Sequence, residues 1–372
     1  MKILKNIMDF LSKQKYWIII SLIYLSLIYS TSISYSYGPE NTIDTSFIKH
    51  PLGGSEERNL FKEYYPDFGK YPEAPSLQKT DFWKLGVYGD AGYYLKQSED
   101  FSLSFPPYKY RVLPPFIASV INEITGLHLA YSFVLMNIIF VYLIGIVFTY
   151  FCKRCFNFSD SLSLIGGILA ITSAGVTKTL PFPMMEPAQY FFFLLALLSL
   201  RLKNDRLYIL SAILGVLSKE LLVFVGILYF ANHYSEIKNG PKSLAKVLLL
   251  SIIPIIVFMV VRLSLGGPMA DVAYSVNLFA GEFPPYGLRL FSIPELLGWL
   301  IIFILTFSFI WMGLLNLKQD RFIYLNTAIS LPLILIATFF LSGQVTRQIG
   351  TLYPLIIISF LFFFNNDQGH ET

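Results

Sequence analysis

The chain has 372 residues, 55% hydrophobic and only 14% charged, with a mean hydropathy of +0.58. Soluble domains carry roughly a quarter charged residues, so a soluble enzyme is excluded and a polytopic helical membrane protein is indicated. The net charge of +4 requires no nucleic-acid partner, because the basic residues cluster in short loops between apolar runs.

Lys2, Lys5, Lys13 and Lys15 place the N-terminus in the cytoplasm by the positive-inside rule. The apolar run from about Tyr16 to Tyr37 is too long for a signal-peptide core and lacks a clear small-residue cleavage site, so it reads as a retained first span. Residues 38–110 follow as a polar extracytoplasmic loop, too long for a simple connector. Within it lies Tyr88-Gly89-Asp90-Ala91-Gly92-Tyr93-Tyr94. At 111–125 a helical pattern resumes. It is too short to span, so the sequence predicts a helix along the interface, begun by Pro114-Pro115, where a missing N–H costs little.

Spans are predicted over about Leu129–Phe151, Ser161–Thr177 and Ala188–Leu200, with Lys153-Arg154 and Arg201, Lys203 and Arg206 on the cytoplasmic side. Leu207–Ala231 is long enough for one more span. That span would bury Lys219-Glu220 near mid-membrane and leave Lys238, Lys242 and Lys246 on the wrong face. A hairpin of two short legs, Leu207–Leu217 and Leu221–Ala231 with Lys219-Glu220 at its turn, removes both conflicts. The competing arrangement is a single span with Lys219 and Glu220 ion-paired inside the bundle. Further spans are predicted over about Leu244–Val261, Pro294–Leu315, Phe322–Leu341 and Gly350–Phe364, with a far-side loop over about Ser264–Phe291. The expected architecture is therefore an all-α transmembrane bundle of about ten membrane segments, one integral domain over 1–372, with both termini cytoplasmic.

On this topology the far face gathers Asp90, Lys109, Arg111, Lys178, Glu186, Lys219, Glu220, Arg262, Arg289 and Arg347. Cations there suit an anionic head group such as phosphate, and a carboxylate beside a hydroxyl can act as a general base. Asp90 stands among small neighbours. It reads equally as that base or as a cap for a helix starting at Ala91. Arg111, beside Tyr110, reads as a head-group contact or an interfacial anchor. Glu186 is a second acid or the start of a helix beside Pro187. Lys219 is the best phosphate ligand, unless it pairs with Glu220 or another buried acid, and Arg347 grips phosphate or marks an interface. The four histidines show no metal-ligand spacing, and Cys152 and Cys155 read as interfacial thiols rather than a metal or redox pair. No phosphate-binding loop, nucleotide fingerprint or serine-nucleophile elbow is present in the sequence.

Taken together, these motifs resemble the GT-C class of polyprenyl-phosphate-dependent membrane glycosyltransferases, in particular bacterial mannosyltransferase-like members. Asp90 matches the acid of the first extracytoplasmic loop. Tyr108 to Pro115 looks like the Tyr-Arg-x-Leu-x-Pro start of the interfacial helix. Gly215 to Glu220 is similar to the Gly-x-x-x-x-Lys-Glu hairpin tip, and Arg347 with Pro354 resembles the arginine before a late span. The class often carries a pair of acids where Asp90 stands alone, and the large C-terminal domain of oligosaccharyltransferase-like members has no counterpart here.

The resemblance implies sugar transfer from a polyprenyl-phosphate donor to a glycan or lipid acceptor hydroxyl at the outer face of the inner (plasma) membrane. Asp90 would be the general base. Tyr110, Arg111, Glu186, Lys219, Glu220 and Arg347 would hold the substrate. No cofactor is implied, and one carboxylate makes a poor divalent-metal site. A transporter or lipid flippase, or a polysaccharide polymerase or ligase, are the rival readings. A matched pair of interrupted segments in two halves would mark the first, and an Arg-rich late loop the second.

Overall fold

The computed structural model describes residues 90–101, 108–173, 176, 180, 183–265, 307–341 and 345–365. The predicted first span, most of the 38–110 loop, the far-side loop after 265, residues 294–306 of a late span, Lys178, Arg289 and the C-terminal tail lie outside them.

The described residues are helical, with no strand among them. Three helical runs are long and apolar enough to cross a membrane: Leu129–Phe156, Pro241–Leu265 and Arg347–Asn365. By length and composition these make the chain a membrane protein. Asp160–Thr172 and Arg321–Ala337 are shorter apolar helices.

Helix α1 (Asp90–Glu99) leads through a short 3-10 turn, Tyr108–Tyr110, to α2 (Leu113–Thr125). As the sequence predicts, Pro114 and Pro115 occupy the first turn of α2. Gly126 ends it in a left-handed conformation (φ 68°), donating its N–H to Asn122 O at 2.8 Å. Helix α3 (Leu129–Phe156) starts with the His128 side chain accepting from Ala130 N. Its 28 residues make about 42 Å of helix, more than one hydrocarbon core. Helix α4 (Asp160–Thr172) ends where Ser173 turns to an extended conformation (ψ 140°), and the predicted span end at Thr177 lies outside the described residues.

Helix α5 (Glu186–Arg201) carries Pro187 in its first turn and runs through the centre of the core. Helix α6 (Asp205–Ser218) is capped by Asn204, whose side chain accepts from Leu207 N at 2.9 Å. It ends where Lys219 becomes extended (φ −161°, ψ 130°). A 3-10 turn, Glu220–Phe224, then leads into α7 (Val225–His233).

The two legs fold back on each other. Tyr208 and Tyr229 stack with ring centroids 4.4 Å apart, and Tyr229 donates to Asp205 Oδ1 at 2.7 Å across 24 residues. A continuous helix would separate residues so spaced by about 36 Å. The predicted hairpin is therefore what forms, and the single-span arrangement is not. Each leg is too short to cross alone, at about 21 and 14 Å.

Helix α8 (Pro241–Leu265) crosses α7 closely. A Cβ at Gly226 would lie 2.2 Å from the Ser251 carbonyl oxygen. Gly226→Ala is expected to force the pair apart and cost about 1–3 kcal/mol. The loss should appear as a lower unfolding midpoint of the purified protein, and an unchanged midpoint would show that this crossing does not form.

Residues Ser308–Gln319 coil as a 3-10 helix rather than the predicted α-helical span end. They pack against α11 (Tyr353–Asn365), and a Cβ on Gly313 would sit 2.6 Å from Ile356 O. Between them run α9 (Arg321–Leu341) and the short α10 (Val345–Ile349), joined to α11 by a 3-10 turn at Gly350–Leu352. Helix α9 is tied to the hairpin by an amide pair, Asn232 Nδ2 to Asn326 Oδ1 at 3.0 Å.

Candidate functional site: a charged cluster at the hairpin tip

The tip is built by the break between α6 and the 220–224 turn. Successive side chains on an extended backbone point to opposite sides. Lys219, extended, and Glu220, next to it, therefore reach different partners.

Lys219 reaches Glu186 at the start of α5, with Nζ 2.7 Å from Oε1. Arg347, from α10, donates its Nε to the same oxygen at 2.7 Å, and its Nη2 forms an ion pair there as well. All three side chains are buried, Glu186 completely. Burial alone would raise the Glu186 carboxyl, but the charges and hydrogen bonds of Arg347 and Lys219 outweigh it and hold the group well below the usual carboxylate range. Glu186 is thus an ionised counter-ion, unsuited to donate or collect protons. The surrounding seam is polar. Tyr190 donates to Arg347 O at 2.7 Å, Gln189 Nε2 to Thr351 Oγ1 at 2.6 Å, and Arg347 Nη2 to Met184 Sδ at 3.6 Å.

Glu220 turns the other way and receives a bidentate pair from Arg111, with Nε to Oε2 at 2.9 Å and Nη2 to Oε1. Arg111 Nη1 also donates to the Tyr94 hydroxyl of α1. The Tyr94 and Tyr108 rings each lie with their centroid 5.8 Å from the guanidinium and stand edge-to-face with each other. Gln97 Nε2 faces Lys109 O and Arg111 O, both at 3.4 Å, tying α1 to the Tyr108–Arg111 segment. This half of the cluster is nearer solvent, since the Glu220 side chain keeps 25% of its exposure. Tyr110 is buried under Arg262, whose guanidinium lies 4.6 Å from its ring centroid and 4.3 Å from that of Phe258.

Lys219 and Glu220, neighbours in the chain, join the two halves into one cluster. Three cations and two carboxylates leave one net positive charge, which suits an anion. Beside it lies an apolar groove of about 320 Å³ lined by Phe101, Val112, Leu113, Phe116 and Leu217. Val112 adjoins Arg111 in sequence, and Leu217 precedes Lys219 by two residues. The charged cluster and the apolar groove thus adjoin at Arg111 and at the end of α6.

The predicted residues thus sort by location. Arg111 meets Glu220, and Lys219 and Arg347 meet Glu186. Tyr110 ends the 3-10 turn just before Arg111 and packs against Arg262 instead. Asp90 is the first residue of α1, one helical turn before Tyr94 in the register of that helix. Four further residues complete the surroundings of the cluster: Tyr94 bonds Arg111, Gln97 bonds the Arg111 segment, and Gln189 and Thr351 bond each other. Tyr94 had a signal, its i+4 spacing from Asp90; the polar residues of the seam had none. Among the described residues no group of three His, Cys, Asp or Glu gathers that could hold a metal ion. Cys152 and Cys155 are free thiols, the first buried and the second half-buried.

Fold and site together define a helical membrane protein with a buried, net-cationic cluster at the tip of a helical hairpin. No family model, curated protein or solved structure matches the chain.

Proposed function

We propose that the chain is a membrane glycosyltransferase of the GT-C type, with about ten membrane segments and its site open to the extracytoplasmic face. It moves a sugar from a polyprenyl-phosphate donor to a hydroxyl of a glycan or lipid acceptor. The observation that carries this reading is the meeting of Arg111, Lys219 and Arg347, drawn from three distant segments, beside an apolar groove.

The prenyl chain lies in the groove and the phosphate sits by Arg111 and Lys219. The acceptor hydroxyl attacks the anomeric carbon and passes its proton to Asp90. The new bond runs from the acceptor oxygen to that carbon. The bond from the carbon to the phosphate oxygen breaks, and polyprenyl phosphate departs with its added charge held by the cations. A single displacement of this kind inverts the anomeric centre.

Asp90→Asn removes the base without changing its size. Membranes carrying the unaltered protein are expected to convert undecaprenyl phosphomannose into undecaprenyl phosphate and a mannosylated product. The variant is expected to do so about 100-fold or more slowly at equal protein level. Equal turnover by the two would remove Asp90 from the mechanism. Lipid crossing the bilayer with its sugar intact would point to a flippase instead.

A further inference from the structure

The seam between α5 and residues 345–352 has two unanswered acceptors. Each rung uses one end of an α5 side chain. Glu186 commits Oε1 to Lys219 and Arg347, and Gln189 commits Nε2 to Thr351. The opposite ends, Glu186 Oε2 and Gln189 Oε1, are buried and receive no hydrogen bond from the described residues. Both side chains are fully buried, and their three-residue spacing puts them on one face of α5.

Buried acceptors call for donors. The chemistry of the site restricts what kind. Glu186 already answers two cations, so a third positive charge would enter against Lys219 and Arg347. A neutral donor meets no such opposition. A hydroxyl group offers one proton and brings no charge, so two hydroxyls would answer the two oxygens.

We propose that Glu186 Oε2 and Gln189 Oε1 accept hydrogen bonds from two hydroxyls of the donor's sugar. They thereby select a neutral, hydroxyl-rich sugar over one bearing a free amine. This rests on the glycosyltransferase reading, whose phosphate site lies on the other side of the same Lys219. Gln189 is then a specificity residue that acts through its amide oxygen, while its amide nitrogen is bound to Thr351.

The test uses the full chain in lipid nanodiscs and three probes: undecaprenyl phosphate, undecaprenyl phosphomannose and undecaprenyl phosphoglucosamine with its amine free. The unaltered protein is expected to bind the mannosyl lipid about tenfold or more tighter than the sugar-free lipid, in line with two net hydrogen bonds. The amino-sugar lipid should gain nothing over the sugar-free one. Gln189→Met should erase the mannosyl preference while leaving affinity for undecaprenyl phosphate intact. Thr351→Val, which cuts the rung but keeps the acceptor oxygen, should retain most of that preference.

Equal affinity of the unaltered protein for sugar-free and mannosyl lipids overturns the proposal, because the acceptors are then answered by water alone. Parallel loss in Gln189→Met and Thr351→Val also overturns it, since Gln189 would only be a strut. If Gln189→Met cannot be purified, the three-lipid comparison on the unaltered protein decides the matter. Failure of that protein to bind undecaprenyl phosphate at all sinks the glycosyltransferase reading itself and this inference with it.

Discussion

Replacing Glu186 by glutamine is expected to destabilise the fold by about 3–5 kcal/mol, the usual result of removing one partner from a buried ion pair. The size of the effect follows from what remains behind. Lys219 and Arg347 both lie on Glu186 Oε1 with almost no access to water. A neutral amide in that position leaves two buried cations facing each other. The loss should be read as a lower unfolding midpoint and a smaller monodisperse fraction after solubilisation. Removing one of the stranded charges as well, in Glu186→Gln with Lys219→Met, should recover part of it, because the desolvation cost belongs to the unpaired charge. A loss of less than about 1 kcal/mol in the single variant, the range of exposed pairs, would mean that solvent answers the two cations in place of Glu186.

How much of this was legible in the sequence depended on whether the signal was local. The hairpin was legible because two physical rules conflicted over one apolar run. A single span would have stranded Lys219-Glu220 in the membrane and put three lysines on the wrong face. The start of α2 was legible because Pro114-Pro115 tolerates only a few positions in a helix. The break after Thr172 was not legible, since nothing in the residue types there marks it. That break is set by conformation at Ser173, which composition does not reveal.

The pairing inside the cluster was the least legible part. Lys219 and Glu186 are 33 residues apart, and Arg347 is 161 from Glu186. A list of charges on one face does not say which carboxylate answers which cation. It also hid a consequence of the pairing. Arg111, Lys219 and Arg347 are not bare phosphate ligands but cations already partly neutralised, in a site whose excess is a single charge. Two carboxylates fix the geometry of the cations, and in the proposed sugar transfer that would leave little reorganisation for the moment when charge develops on the leaving group.

On this account the two halves of the cluster should respond differently to mutation, and Arg111 provides the contrast with Glu186. Arg111→Lys is expected to cost little stability, about 1 kcal/mol or less, because Glu220 keeps a quarter of its exposure and water can answer it. Its effect on sugar transfer should be about 100-fold or more, the usual result of removing one donor from a developing anion. Lysine keeps the charge but loses the fork that grips Glu220 through two nitrogens and Tyr94 through a third. It also loses the guanidinium's contacts with the Tyr94 and Tyr108 rings. A point charge on a flexible stem then sits where a fixed donor array is required. The loss should fall on kcat more than on KM, because the net charge that attracts the phosphate is unchanged. Unfolding midpoints and transfer rates measured on the same preparation separate the two effects. A variant that is fully stable and fully active would show that Arg111 only anchors the start of α2. One that unfolds as readily as Glu186→Gln would show that the outer pair carries the fold as the inner one does.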